Sequence, residues 1–137
     1  MIQFLAGAKG TGKTKQLIGM ANASVKTTDG HIVFIDGDKK HIYDLHYDIR
    51  FVNAAGYPLI DNGAFIGFIC GVLSQNSDIK EIYIDGLNKK IKSLDADSLE
   101  HFVGQLKQLS VDNYVQFIIS INWETDELPD AVKALAI

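Results

Sequence analysis

The sequence predicts an α/β protein: a three-layer sandwich with a mostly parallel sheet of about five strands and helices on both faces. Three observations carry this. Short apolar runs without polar alternation recur along the chain, as buried parallel strands require. Between them lie stretches with apolar residues at helical spacing. A glycine-rich segment joins the first run to the first helical stretch, and polar residues cluster at the ends of later runs. In open parallel sheets, ligands bind at the carboxyl ends of the strands. At 137 residues the chain makes one domain, spanning residues 1–137.

The first strand is Ile2-Gln3-Phe4-Leu5-Ala6. It runs into Gly7-Ala8-Lys9-Gly10-Thr11-Gly12-Lys13-Thr14, followed by Lys15. Glycines let a backbone curl around an anion, and a helix start adds unpaired amides and the positive end of its dipole. The G-x-x-x-x-G-K-[ST] spacing in this strand-to-helix context predicts a phosphate-binding loop. In such a loop Lys13 is expected to reach the β- and γ-phosphates, and the Thr14 hydroxyl to ligate Mg²⁺.

The first helix is expected from Gly12 to about Val25, with Leu17, Ile18, Met20, Ala21 and Val25 inward and Thr27–Gly30 as its end. Ile32–Ile35 is a buried strand ending in Asp36-Gly37-Asp38. A short helical turn over 41–48 and a weaker strand at Arg50–Val52 follow, then a loop from Asn53 to Pro58. Asp61 or Asn62 caps a helix whose inward residues are Phe65, Phe68, Ile69, Val72 and Leu73. Glu81–Asp85 is the next strand. Asp97-Ser98-Leu99-Glu100 has the spacing of a capping box and opens a helix burying Leu99, Phe102, Val103, Leu106 and Leu109. Val115–Ile121 is the last strong strand, and Pro129–Ala136 is expected to be a terminal helix.

Composition narrows the function. Net charge is −4, which argues against extended nucleic-acid binding, since that needs a basic face. No stretch reaches the apolar length of a membrane span, and the apolar start is too short for a signal peptide. The single cysteine, Cys70, cannot form an internal disulfide, so a cytoplasmic location is expected. There are twelve lysines and one arginine, Arg50. Many phosphoryl-transfer enzymes rely on an arginine finger, so Arg50 is expected either at the surface or completing the site of a neighbouring subunit in a homo-oligomer.

The residues beyond the loop are weighed by position. Asp85, at the tip of an apolar strand, has the Walker B arrangement and is expected to hold Mg²⁺ beside Thr14. Asp36 and Asp38 suit a turn, but they also suit metal binding, water activation or a second substrate. Asn122, with Ser120, ends the last strand where a contact to the γ-phosphate or the attacking water is expected. Glu124, just beyond, suits an exposed loop position first and a catalytic base second. Lys89, Lys90 and Lys92 suit a solvated rim. The four histidines lack metal-ligand spacing.

The loop from Gly7 to Thr14, together with Ile82-Tyr83-Ile84-Asp85, resembles the P-loop NTPases, and Gly10-Thr11-Gly12-Lys13-Thr14 looks like the loop of AAA- and RecA-type ATPases. The chain as a whole is similar to small bacterial ATP-binding proteins labelled as twitching-motility ATPase relatives. It does not carry the histidine-containing boxes of the motility motors. The resemblance implies the P-loop NTPase fold, ATP and Mg²⁺ as ligands, and roles for Lys13, Asp85 and Asn122 in catalysis, with Glu124, Asp36 or Asp38 needed to stand in for the family's base. Those enzymes carry a glutamate at or near the Walker B aspartate, whereas Asp85 is followed by Gly86-Leu87-Asn88. The expectation is therefore an ATP-binding protein with slow Mg²⁺-dependent hydrolysis. The alternatives are a small-molecule kinase using Asp36-Gly37-Asp38, and a non-catalytic module that uses nucleotide to order a surface for a protein partner.

Overall fold

The computed structural model describes residues 1–137. Five strands form one sheet: β1 (Ile2–Gly7), β2 (His31–Asp36), β3 (Ile49–Asn53), β4 (Ile79–Ile84) and β5 (Gln116–Asn122). Their spatial order is β1-β5-β4-β2-β3, and every pairing is parallel. The helices are α1 (Lys13–Ser24), α2 (Asn62–Gln75), α3 (Leu87–Lys90), α4 (Ala96–Asn113) and α5 (Asp130–Lys133). No helix is long and apolar enough to cross a membrane.

Successive strand residues point to opposite faces, so each strand feeds two cores. Phe4, Val33, Ile35, Ile82, Ile84, Phe117 and Ile119 pack on one face with α2, α4 and α5. Leu5, Ile32, Phe34, Tyr83 and Ile118 pack on the other face with Leu17, Ile18 and Ala21 of α1. This double burial explains the unbroken apolar runs. On the first face, Phe65 of α2 meets Phe102 of α4 edge to face, with ring centroids 5.8 Å apart. On the second, the buried Tyr83 hydroxyl donates to Glu81 Oε1 at 2.6 Å and lies 3.2 Å from Ser24 Oγ at the end of α1. Burial, together with the bond to Glu81, pushes the Tyr83 phenol well above its ordinary value.

Within the expected stripes, Met20, Val25, Phe68, Val72 and Leu109 are half-buried at the margins rather than in the cores. Four expectations are corrected. The capping box of α4 starts two residues earlier than expected. Asp95 accepts from the Ser98 amide at 2.9 Å, and its own amide donates to Ser98 Oγ at 2.9 Å, so a serine does the work expected of Glu100. The turn over 41–48 is only a single 3₁₀ turn at Ile42–Asp44. Tyr43 and Tyr47 are almost fully exposed and only Leu45 of the segment packs against a core, too little apolar burial to sustain a longer helix. Instead it is tied to α1: Asn22 Nδ2 donates to the Asp44 carbonyl at 2.9 Å, and the His46 amide donates to Asn22 Oδ1 at 2.8 Å.

Asn53 ends β3 rather than opening a loop, and its side chain accepts from the Ala55 amide at 3.1 Å. The terminal helix stops at Lys133. The Phe4 amide then donates to the Leu135 carbonyl at 3.0 Å, and the Ile137 amide donates to the Phe4 carbonyl at 2.9 Å. A bare edge on β1 would leave unpaired backbone groups, and this pairing satisfies them better than another helical turn.

Candidate functional site

The strand register gathers the polar residues at one end of the sheet. Gly7 pairs with Asn122, and Ile84 lies level with Ile35 and Ile119, so Asp36, Asp85 and Asn122 emerge together beside the loop. The loop itself is pinned at its base, where the Gly7 amide donates to the Trp123 carbonyl at 2.8 Å. Gly10 and Gly12 both sit at φ +85°, a left-handed geometry that side-chain-bearing residues rarely adopt. None of the amides from Ala8 to Lys15 donates to a backbone or side-chain acceptor of the protein. Eight successive unengaged donors ahead of and within the first turn of α1 make a nest for an anion.

Lys13 is buried, and its ammonium folds back over the loop. It donates to the Gly7 carbonyl at 2.9 Å, the Ala8 carbonyl at 2.6 Å and Thr11 Oγ1 at 3.3 Å. Burial pushes the Lys13 ammonium below its ordinary value. Asp85 opposes that, Lys89 adds to it, and Glu124 opposes it weakly. Thr14 Oγ1 donates to Asp85 Oδ2 at 2.9 Å, bridging 71 positions of sequence. Ser120 Oγ donates to Asp85 Oδ1 at 2.6 Å and accepts from the Gly86 amide at 2.7 Å. The buried Asp85 carboxylate is thus aimed from both sides.

Asp36 is the other buried carboxylate, 3% exposed. Its pKa is pushed up to about 6, chiefly by burial and next by the charge of Asp85. Lys89 and the Gly37 amide pull it down, and Asp38 pushes it up. Asn88 at the start of α3 holds the tip of β5 by two bonds: its Nδ2 donates to the Asn122 carbonyl at 2.8 Å, and its Oδ1 accepts from the Asn122 amide at 3.0 Å.

These elements enclose a cleft of about 660 Å³. Of the residues singled out in the sequence, Lys9, Gly10, Gly12, Lys13, Thr14, Lys15, Asp36, Asp38, Asp85, Lys89, Ser120 and Asn122 line it. Gly7, Ala8 and Thr11 do not line it; they supply the acceptors that hold Lys13. Glu124 is exposed, lies outside the cleft and acts on Lys13 only through its charge. Arg50 sits near the amino end of β3, in a surface groove with Asp29, His31 and Asp48, away from the strand ends that form the cleft.

Lys40 and His41 line the cleft but did not stand out in the sequence. The signal available was their closeness to the Asp36-Gly37-Asp38 turn. Asn88 also escaped notice, because nothing in Gly86-Leu87-Asn88 announces a short helix.

The Thr14 hydroxyl and the Asp85 carboxylate are hard oxygen donors converging at the end of the loop. That suits Mg²⁺, which takes one or two protein ligands and completes its shell with phosphate oxygens and water. No group of three or more His, Cys, Asp or Glu residues forms a self-sufficient metal cage. Chemically, the cleft can hold a multiply charged anion along the loop, keep a hard cation at Thr14 and Asp85, and present a proton acceptor at Asp36. Neither a known family model nor a curated protein sequence matches this chain.

Proposed function

We propose that this chain is a P-loop nucleotide-binding protein that binds ATP with Mg²⁺ and hydrolyses it slowly. The observation that carries the reading is the loop's run of eight unengaged amides leading to the Thr14–Asp85 bond. The amides and the Lys13 ammonium bind the phosphates. To do so, Lys13 must exchange the Gly7 and Ala8 carbonyls for phosphate oxygens. Thr14 and Asp85 would hold Mg²⁺, which supplies charge neutralisation at the β- and γ-phosphates when bound.

Asp36 is the residue best placed to serve as base. It is buried and lines the cleft, and burial raises its pKa above the ordinary carboxylate value, the direction that general-base catalysis favours. It takes the proton of a water whose oxygen attacks the γ-phosphorus, and ADP leaves with the electrons of the broken P–O bond. Asn122 offers a side-chain amide at the same end of the sheet. A cleft without arginine loses one common means of stabilising the transition state, and this underlies the slow rate.

The test is release of inorganic phosphate from Mg-ATP over about a hundredfold range of protein concentration, with nucleotide affinity measured alongside. Lys13→Ala removes charge-assisted bonds worth about 1.5–3 kcal/mol and should weaken binding accordingly. Unchanged affinity in Lys13→Ala refutes the assignment. Activity that climbs with concentration would mean that a second copy completes the site, with Arg50 the first residue to substitute. Tight binding without release would favour the nucleotide-dependent interaction module.

One observation favours a kinase as the second reading. Asp36, Asp38 and Lys40 line the same cleft as the loop, so an acceptor hydroxyl has a base and a cation beside it. Transfer of labelled phosphate to a small metabolite would establish that reading.

A further inference from the structure

The lining of the cleft carries an inference about which part of the nucleotide is recognised. Sites that read a base enclose it between apolar or aromatic surfaces, with a few polar groups fixing its orientation. Every residue lining this cleft is charged, polar or glycine. Five lysines reach it from three separate segments. Lys9, Lys13 and Lys15 come from the loop and α1, Lys40 from the segment after β2, and Lys89 from α3. They outnumber the three carboxylates, Asp36, Asp38 and Asp85. The run of free loop amides adds uncharged donors for the same kind of ligand.

The one ring on the wall is His41, whose Nδ1 lies 2.9 Å from Asp44 Oδ2. Tyr43 and Tyr47 stand in solvent outside the cleft.

We propose that the cleft reads the polyphosphate chain and not the base, so that nucleoside triphosphates of any base, and inorganic tripolyphosphate, bind it alike. This rests on the nucleotide-binding reading and widens its ligand class. Lys40 and Lys89 extend the cationic wall beyond the loop lysine and would add to affinity through phosphate oxygens, whatever base is attached.

Calorimetric titration of the whole chain with the magnesium complexes of ATP, GTP, CTP and tripolyphosphate, and with adenosine alone, tests it. The four triphosphates should bind within about threefold of one another, with adenosine below detection. All four should weaken together as salt rises from roughly 50 to 300 mM. The double variant Lys40→Ala/Lys89→Ala should weaken all four by a common factor of about ten. His41→Ala should leave the ratio of nucleotide to tripolyphosphate affinity unchanged.

ATP binding more than about tenfold tighter than tripolyphosphate or GTP would overturn the proposal while leaving nucleotide binding intact. So would a loss confined to nucleotides in His41→Ala. Failure of every triphosphate to bind would instead refute the underlying nucleotide-binding reading. The two failures are therefore distinguishable.

Discussion

Replacing Asp36 by Asn should make the protein more stable and less active at once. The carboxyl is 3% exposed and its pKa rises from 3.8 to about 6, because burial and the neighbouring Asp85 both disfavour its charge. A folded-state pKa above the unfolded one means that the protonated carboxyl favours folding. That contribution is complete below about pH 3.8 and is lost as pH rises through about 6. At about 1.36 kcal/mol per pKa unit, the difference amounts to about 3 kcal/mol against the ionised native state at pH 8.

Asn has the shape of the protonated acid and carries no charge. The variant should therefore match the parent near pH 4 and exceed it by as much as about 3 kcal/mol at pH 8. Urea denaturation at both pH values, without nucleotide and with a chelator present, reads this directly. The same variant should lose most phosphate release while still binding nucleotide, because the proton acceptor is gone but the loop is intact. A variant no more stable than the parent at pH 8 would refute the electrostatic argument. Full hydrolysis would refute the role of Asp36 as base.

Other perturbations test the supports of the site. Ser120→Ala removes the hydroxyl that donates to Asp85 and accepts from the Gly86 amide, leaving a buried donor unpaired. It should cost about 1–3 kcal/mol of stability by denaturant titration and weaken the dependence of nucleotide binding on Mg²⁺. Asn88→Ala removes both bonds that hold the tip of β5. It should lower phosphate release more than nucleotide affinity, since Asn122 loses its placement while the loop keeps its own. Phe102→Ala, in the core under α4, should cost about 3–5 kcal/mol yet leave nucleotide affinity unchanged at temperatures where the variant stays folded.

How much of this was legible in the sequence depends on how local the determining physics is. The loop could be read because its glycine spacing and its strand-to-helix context lie within one short segment. The strands could be read because a parallel sheet buried on both faces leaves an unbroken apolar run, as in Ile32–Ile35. The start of α4 was misplaced because Ser98 can act as the reciprocal partner of Asp95, and the capping pattern alone did not discriminate the two offsets. The terminal helix was overextended because its competitor, the open side of β1, lies more than a hundred positions away in sequence. Lys40 and Asn88 were missed for the same reason. Their importance comes from which strand tips stand beside them, and only the order β1-β5-β4-β2-β3 settles that. Asp85 was found because it ends a strand, while its clamp by Thr14 and Ser120 is a product of the tertiary fold.

The position of β5 also orders events during synthesis. It is made after the other four strands, yet it lies between β1 and β4 and is the only strand joining them. Until residues 116–122 have left the ribosome, β1 has no strand beside it, and β2, β3 and β4 can form only a separate three-stranded piece. The loop and Asp85 therefore sit on different fragments until β5 has been made. They meet when β5 threads between them, a closure by contacts distant in sequence, of the kind that slows folding. A nascent chain stalled before β5 would hold the loop and Asp85 apart, whereas one extended past it would have every residue of the cleft.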